Sequence, residues 1–267
     1  MNRSFGMKHT FMVVLAAAAM VLALAPAPAD AQADTRPVPR MANGKPDFSG
    51  VWDHPRVNDV TQDGTTCAGG SKGCVQKGSG PLSFTAEGQR MRDINSGPKY
   101  FDYGASCMPW GFTRGYQTPY PHAYSHNPAF LAILWEQDTA FHMVWTDGRG
   151  LPENPEELWR GTSAGRWEGD TLVFETVGFN GRSWIDSARN PLSNEHKLTV
   201  RMSRPVYNRI EWEVTMEDPK YYTKPIVNRR TFVLMEGDRA VLYEYSCAEN
   251  NRCPQGNCTV ADVQSDK

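Results

Sequence analysis

The sequence predicts an all-β protein, an eight-stranded antiparallel barrel, and three observations carry that expectation. From Phe130 onwards short runs of apolar residues keep a strand-like pattern, most consecutive runs are joined by brief turn-like segments, and only one stretch reads convincingly as a helix. The runs are 130–136, 141–147, 158–167, 171–177, 198–204, 209–217, 229–236 and 240–247. Connections as short as 137–140, Glu168-Gly169 and 236–239 join neighbours that pair antiparallel. The cleanest alternation sets Ile210, Trp212, Val214 and Met216 on a dry face against Arg209, Glu211, Glu213 and Thr215 on a wet one. A closed meander of this size, lipocalin- or calycin-like, has no free edge and encloses room for side chains or one small ligand. An open β-sandwich is the alternative, with 180–197 as a crossover between two sheets.

In chain order, residues 1–33 read as a cleaved secretory signal. Arg3, Lys8 and His9 precede an apolar run over 11–25, and small residues offer cleavage after Ala31 or Ala33. That run is shorter than the roughly 20 apolar residues of a spanning helix, so no stable membrane anchor is expected. Residues 34–267 read as one domain. Its Pro-rich lead-in over 34–45 ends at a first strand, Phe48-Ser49-Gly50-Val51-Trp52, and a Gly/Ser/Thr/Lys-rich surface loop covers 57–80. Residues 81–92 form the one short helix, with Thr85 as its cap and Gly88 weakening it. Residues 99–126 crowd Pro, Gly and aromatics without a period, as a lid or a pocket wall does.

The hairpin across Glu168-Gly169 puts Trp159, Gly161, Ser163, Gly165 and Trp167 on one face. Gly161 and Gly165 there mark a bulge or sharp bend, or else the close approach of a ligand. The same stretch, GTSAGRWEGDTLVFETVGFNGRSW, together with GKPDFSGVW, CMPWG, TDGRGLP, EDPKYY and YEYSCAENN, resembles a family of exported bacterial proteins of unknown function, abundant in soil bacteria and some proteobacteria. The resemblance spans residues 44–251 and implies a shared fold and an exported location. One strand departs from it: an acidic residue and a run like ERF are expected after Pro191-Leu192-Ser193, where this chain reads LTVRMSR.

Six cysteines in an exported chain point to disulfides. Cys67 with Cys74 and Cys253 with Cys258 close short glycine-containing loops, which leaves Cys107 for Cys247, although six cysteines allow fifteen pairings. Neither short pair has metal-ligand spacing, so no metal is expected. The net charge is −2 with both signs well mixed, which lacks the clustered basic face of a nucleic-acid binder. The expected location is the periplasm or the exterior, and the sequence does not specify an oligomeric state.

No GxSxG elbow, HExxH, phosphate loop or GxGxxG follows a strand, and Ser163 in GTSAG lies in a strand pattern rather than at a strand-to-helix turn. Ionisable residues at strand positions are the better signal, because burial penalises them unless they are paired or used. His142 is the first candidate proton carrier, with Glu136 across the turn to orient it. Whether it faces the interior depends on Phe141, Met143 and Trp145 facing out. Asp186 and His196 on the 180–197 loop form a second acid–base pair, and Arg149 suits a carboxylate or enolate oxygen. Trp110, Tyr124, Trp135, Trp167, Trp184 and Tyr221 are the aromatics expected to hold a substrate. The expected function is cofactor-independent acid–base catalysis, by a lyase, isomerase or hydratase, on a small hydrophobic or aromatic molecule. A lipocalin-like binding protein without catalysis is the alternative.

Overall fold

A computed structural model of the protein describes residues 34–98 and 101–247, all within the compact unit Ala31–Lys267. Ten strands form: β1 (Gly50–Asp53), β2 (Val75–Lys77), β3 (His122–Asn127), β4 (Phe130–Trp135), β5 (Ala140–Trp145), β6 (Thr162–Glu168), β7 (Thr171–Val177), β8 (Lys197–Val206), β9 (Arg209–Glu217) and β10 (Ile226–Leu234). Nine of them close into a barrel in the order β1, β3, β4 and so on to β10, which bonds back to β1 through Val233 and Leu234. β2 lies outside the ring, paired with Arg229–Thr231 of β10.

The barrel is therefore present, with nine strands rather than eight, and it is mixed rather than wholly antiparallel. β5 and β6 run parallel and every other neighbouring pair in the ring is antiparallel. Ring closure sets the sandwich aside. The 180–197 loop is no crossover, since β7 and β8 pair directly; the crossover is 146–161, which returns the chain to start β6 parallel to β5.

The runs at 171–177 and 209–217 match their strands to the residue. The run at 158–167 pairs with β7 only from Thr162, because Gly161 turns the chain with φ +65° and a Cβ there would sit 2.5 Å from the Val177 carbonyl oxygen. β3 begins inside the stretch 99–126 read as an aromatic loop and ends one residue beyond it. Its sequence, HAYSHN, is too polar to signal a strand, and pairing with β1 and β4 creates it. The last expected strand, 240–247, is irregular. β10 is bonded on one side to β9 and on the other to β1 and β2, so it has no edge left for that segment.

The helix α1 (Ala86–Ser96) starts where Thr85 accepts a hydrogen bond from the Gly88 amide at 3.0 Å. Gly88 lowers helix propensity but is required, since a Cβ there would lie 2.0 Å from the Tyr221 carbonyl oxygen. A second short helix, α2 (Gly111–Gly115), is buried throughout and lays Phe112 against Trp135 and Phe174.

The dry face of β9 behaves as its alternation requires: Ile210, Trp212, Val214 and Met216 are all buried, and Trp212 meets Phe232, Phe174 and Tyr124 in the barrel centre. Cys67 bonds Cys74 and Cys107 bonds Cys247, while Cys253 and Cys258 lie outside the described residues. Two disulfides indicate an oxidising, extracytoplasmic compartment. No helix among the described residues is long and apolar enough to cross a membrane. The signal reading at 1–33 falls outside them.

Candidate functional site: a cleft between β5 and β6

Only two residue pairs join the parallel strands, Val144 with Ser163 and Trp145 with Ala164. Beyond them the barrel wall parts towards Ala140 and Leu158, and the gap is a cleft of about 870 Å³, a size suited to a small organic molecule. His142 and Ser163 line its inner wall, with Trp145, Trp159 and Tyr245 among the other lining residues. The Cys107–Cys247 disulfide also lines the cleft, and it holds the 240–247 segment against the barrel together with Thr139 Oγ1, which donates to the Tyr245 carbonyl at 3.0 Å.

Alternation in β5 turns His142 inward with Ala140 and Val144, while Phe141 is 65% exposed. His142 Nε2 lies 2.6 Å from Ser163 Oγ, which lies 2.6 Å from Thr176 Oγ1, so a buried hydrogen-bonded chain crosses β5, β6 and β7. Burial, reinforced by the Arg160 charge, pushes the His142 imidazole down to about 3. The ring is neutral across the physiological range and offers one N–H and one lone pair. Ser163 thus sits where a base accepts its proton, or where it hands the ring a proton relayed from Thr176.

Asp138 and Arg160 also line the cleft. Asp138 stands in a left-handed turn at φ 59°, and burial raises its carboxyl above the usual range. Burial lowers the Arg160 guanidinium against a partial offset from Asp138, yet no carboxylate among the described residues is within ion-pair contact of it. Its guanidinium carbon lies 5.8 Å from the centre of the Trp135 ring. Its Nε is buried with no hydrogen-bond partner, and so is one carboxylate oxygen of Asp138.

Of the residues expected at a site, His142 alone lines this cleft. Glu136 does not reach it, because the register pairs His142 with Ile133 and leaves Glu136 beyond the end of β4, where it accepts from the Tyr243 amide at 3.0 Å. Asp186 and His196 are not brought together. Asp186 accepts from the Val60 amide and from Asn190, a staple that ties two loops, and burial raises it to about 6. His196 packs edge-on against Phe179 with Nδ1 3.9 Å from Asp218, and burial lowers it to about 3. Arg149 is exposed, pairs with Asp147 at 2.6 Å and stacks over Trp145, so it does not reach over the barrel mouth.

The expected substrate aromatics are dispersed. Tyr124 and Trp135 belong to the sealed core, and Trp167 packs beside both Phe48 and His126, which also stack on each other. Trp110 and Trp184 surround Arg114, and Tyr221 packs in the turn after β9. Trp145, Trp159, Asp138 and Arg160 were missed as site residues. The alternation that put Trp159, Gly161 and Ser163 on one face was the available signal for part of this set, since Ser163 and Gly161 do turn inward.

No family model matches the chain, and no curated protein is similar to it. Its chemistry has to be read from the cleft.

A second polar region occupies the sealed interior. His54 and His122 stack at 4.9 Å, Arg230 lies over the Tyr116 ring, and neither the Tyr116 nor the Tyr124 hydroxyl has a hydrogen-bond partner among the described residues.

Proposed function

We propose that the protein is a cofactor-independent enzyme performing acid–base chemistry on a small hydrophobic or aromatic molecule in the β5–β6 cleft, as a lyase, isomerase or hydratase. The observation that carries this is the 2.6 Å contact between His142 Nε2 and Ser163 Oγ on the cleft's inner wall. A neutral imidazole fixed on a strand is a pre-positioned proton acceptor, and Ser163 and Thr176 fix its orientation from behind. An exported location and membership of the bacterial family named above go with this proposal. They are supported by the motif resemblance and the two disulfides.

One observation favours a second reading, a lipocalin-like binding protein without catalysis. His142 is 5% and Ser163 1% exposed, and Phe112 covers the imidazole edge-on at 4.9 Å, which suits a hydrogen-bond chain that only fastens three strands.

Deuterium exchange separates the two. The wild type and His142→Ala are incubated in heavy water with a panel of small aromatic acids, ketones and alcohols, and carbon-bound deuterium is read by mass spectrometry. The enzyme reading expects at least one compound to exchange with the wild type and about 10²-fold more slowly with the variant. Equal traces from both proteins, with ligand still bound, establish the binding protein instead.

A further inference from the structure

The cleft holds a cation, Arg160, that no hydrogen bond or ion pair reaches among the described residues, although the Asp138 carboxyl on the same cleft acts on it through space. Arg114 is buried and forms a two-point pair with Asp102 at 2.8 and 2.6 Å. Arg204 donates to the carbonyls of Asp47 and Tyr207, and Arg230 donates to Gln76 Oε1 and to the Pro55 and Val57 carbonyls. Each of these guanidiniums is thus met by the protein's own acceptors, as desolvation requires, although the Nε atoms of Arg114 and Arg230 are themselves buried without a partner. Arg160 differs. It is half-buried on the cleft wall, its Nε is enclosed without a partner, and no hydrogen bond or ion pair reaches any of its nitrogens among the described residues.

We propose that Arg160 is the anion-recognition residue of this cleft and that the ligand it awaits is a small aromatic monocarboxylate. The anion follows from an unpaired guanidinium facing space, and the carboxylate from its planar fork, which matches two oxygens side by side. The single charge follows from Asp138, a carboxyl on the same cleft whose charge opposes a dianion such as a phosphate monoester. The aromatic body follows from Trp145, Trp159 and Tyr245 among the lining residues, with Leu158 and Phe141 adding apolar surface. A carboxylate held by Arg160 would place the rest of the molecule in the cleft that His142 also lines.

The proposal rests on the cleft being the ligand site and names what that site selects. Its test is calorimetric titration of the wild type, Arg160→Gln, Arg160→Lys and His142→Ala with benzoate, 3-phenylpropanoate, their uncharged amides and phenyl phosphate. The expected result is saturable binding of a carboxylate to the wild type, with its amide and phenyl phosphate each roughly tenfold or more weaker. Arg160→Gln should lose that preference while binding the amide as before, Arg160→Lys should recover part of it, and His142→Ala should keep it. The thermal midpoint of Arg160→Gln should equal or exceed that of the wild type, because the substitution removes a desolvated cation that makes no hydrogen bond or ion pair among the described residues and that Asp138 offsets only in part; a lower midpoint would mark Arg160 as structural and overturn the proposal. Equal affinity for acid and amide, or undiminished carboxylate binding by Arg160→Gln, overturns it while leaving the cleft as a binding site. No saturable binding of any panel member overturns both. Carboxylate binding without deuterium exchange sinks the acid–base reading alone.

Discussion

Around Trp212 the barrel is sealed, and between β5 and β6 it is parted, yet the two regions are furnished with the same residue types. Each holds an arginine, histidine and aromatic rings. In the sealed region Arg230 has Gln76, Pro55 and Val57 as acceptors, and His54 stacks on His122. In the parted region His142 has Ser163, but no hydrogen bond or ion pair reaches Arg160 among the described residues. The difference shows that a charge drawn into a barrel is informative only after its partners are accounted for: the deeper arginine is the structural one, and the shallower, unpaired one is the better marker of a ligand.

Acid should produce the largest effect, and it tests both regions at once. His54, His142 and His196 are lowered to about 3 and His126 to about 4, with His122 also well below its usual range, in each case chiefly by burial. Below about pH 6.5 the unfolded chain takes up protons that the folded one refuses, so these groups' stability is full above that value and is lost as pH falls towards 3. Asp186, raised to about 6, acts in the opposite sense: its contribution is present at low pH and disappears as pH rises through about 6. Asp138 and Asp218 are also raised by burial, and five histidines against three carboxyls still fix the net sign. Denaturant midpoints should fall steadily from pH 6.5 to 4, and His142→Gln should reduce the slope by about one proton, or about 1.4 kcal/mol per pH unit. A flat profile would mean that the buried rings are not neutral.

Trp212→Ala should cost about 3–5 kcal/mol by urea unfolding, since it empties the centre of the sealed region. Trp159→Ala, at the half-buried cleft wall, should cost about 1 kcal/mol or less. Comparable losses would erase the contrast between sealed and parted walls. Replacing Cys107 and Cys247 together by serine opens a loop of sequence separation 140 and should cost about 2–5 kcal/mol, with weaker ligand binding because that bridge lines the cleft. The smallest effect belongs to Arg149→Ala. Its pair with Asp147 is exposed, and the change should stay within about 0.5 kcal/mol and leave ligand binding unaltered.

How much of this was legible depended on whether the information was local. β9 could be read to the residue because one face is buried and its alternation is uninterrupted, and β7 because its apolar run, buried on both faces at Leu172–Phe174, follows the tight Glu168-Gly169 turn. The Thr85 cap and the Cys107–Cys247 bond also followed from local chemistry and from the spacing of the other cysteines. β3 could not, because HAYSHN becomes a strand only when β1 and β4 flank it. The site was legible in one residue, His142. Its companion was hidden because Ser163 looked like a failed elbow, and because Glu136, closer in sequence, drew attention across a turn whose register carries it away. Arg160 carries no sequence signature at all; its importance lies in the lack of a hydrogen bond or ion pair among the described residues, which only the fold reveals.

The lone parallel pairing has a reason that no single residue holds. Walking once round a closed ring of strands, each antiparallel step reverses direction, and the walker must return facing as at the start, so the number of reversals is even. A ring of nine cannot alternate throughout, and at least one neighbouring pair must run the same way. The seam is therefore compulsory, and the long excursion over 146–161 settles where it falls. A tenth strand in the ring would remove that requirement, and the opening could then disappear with every side chain around it unchanged. On this view the cleft is a parity defect of the barrel.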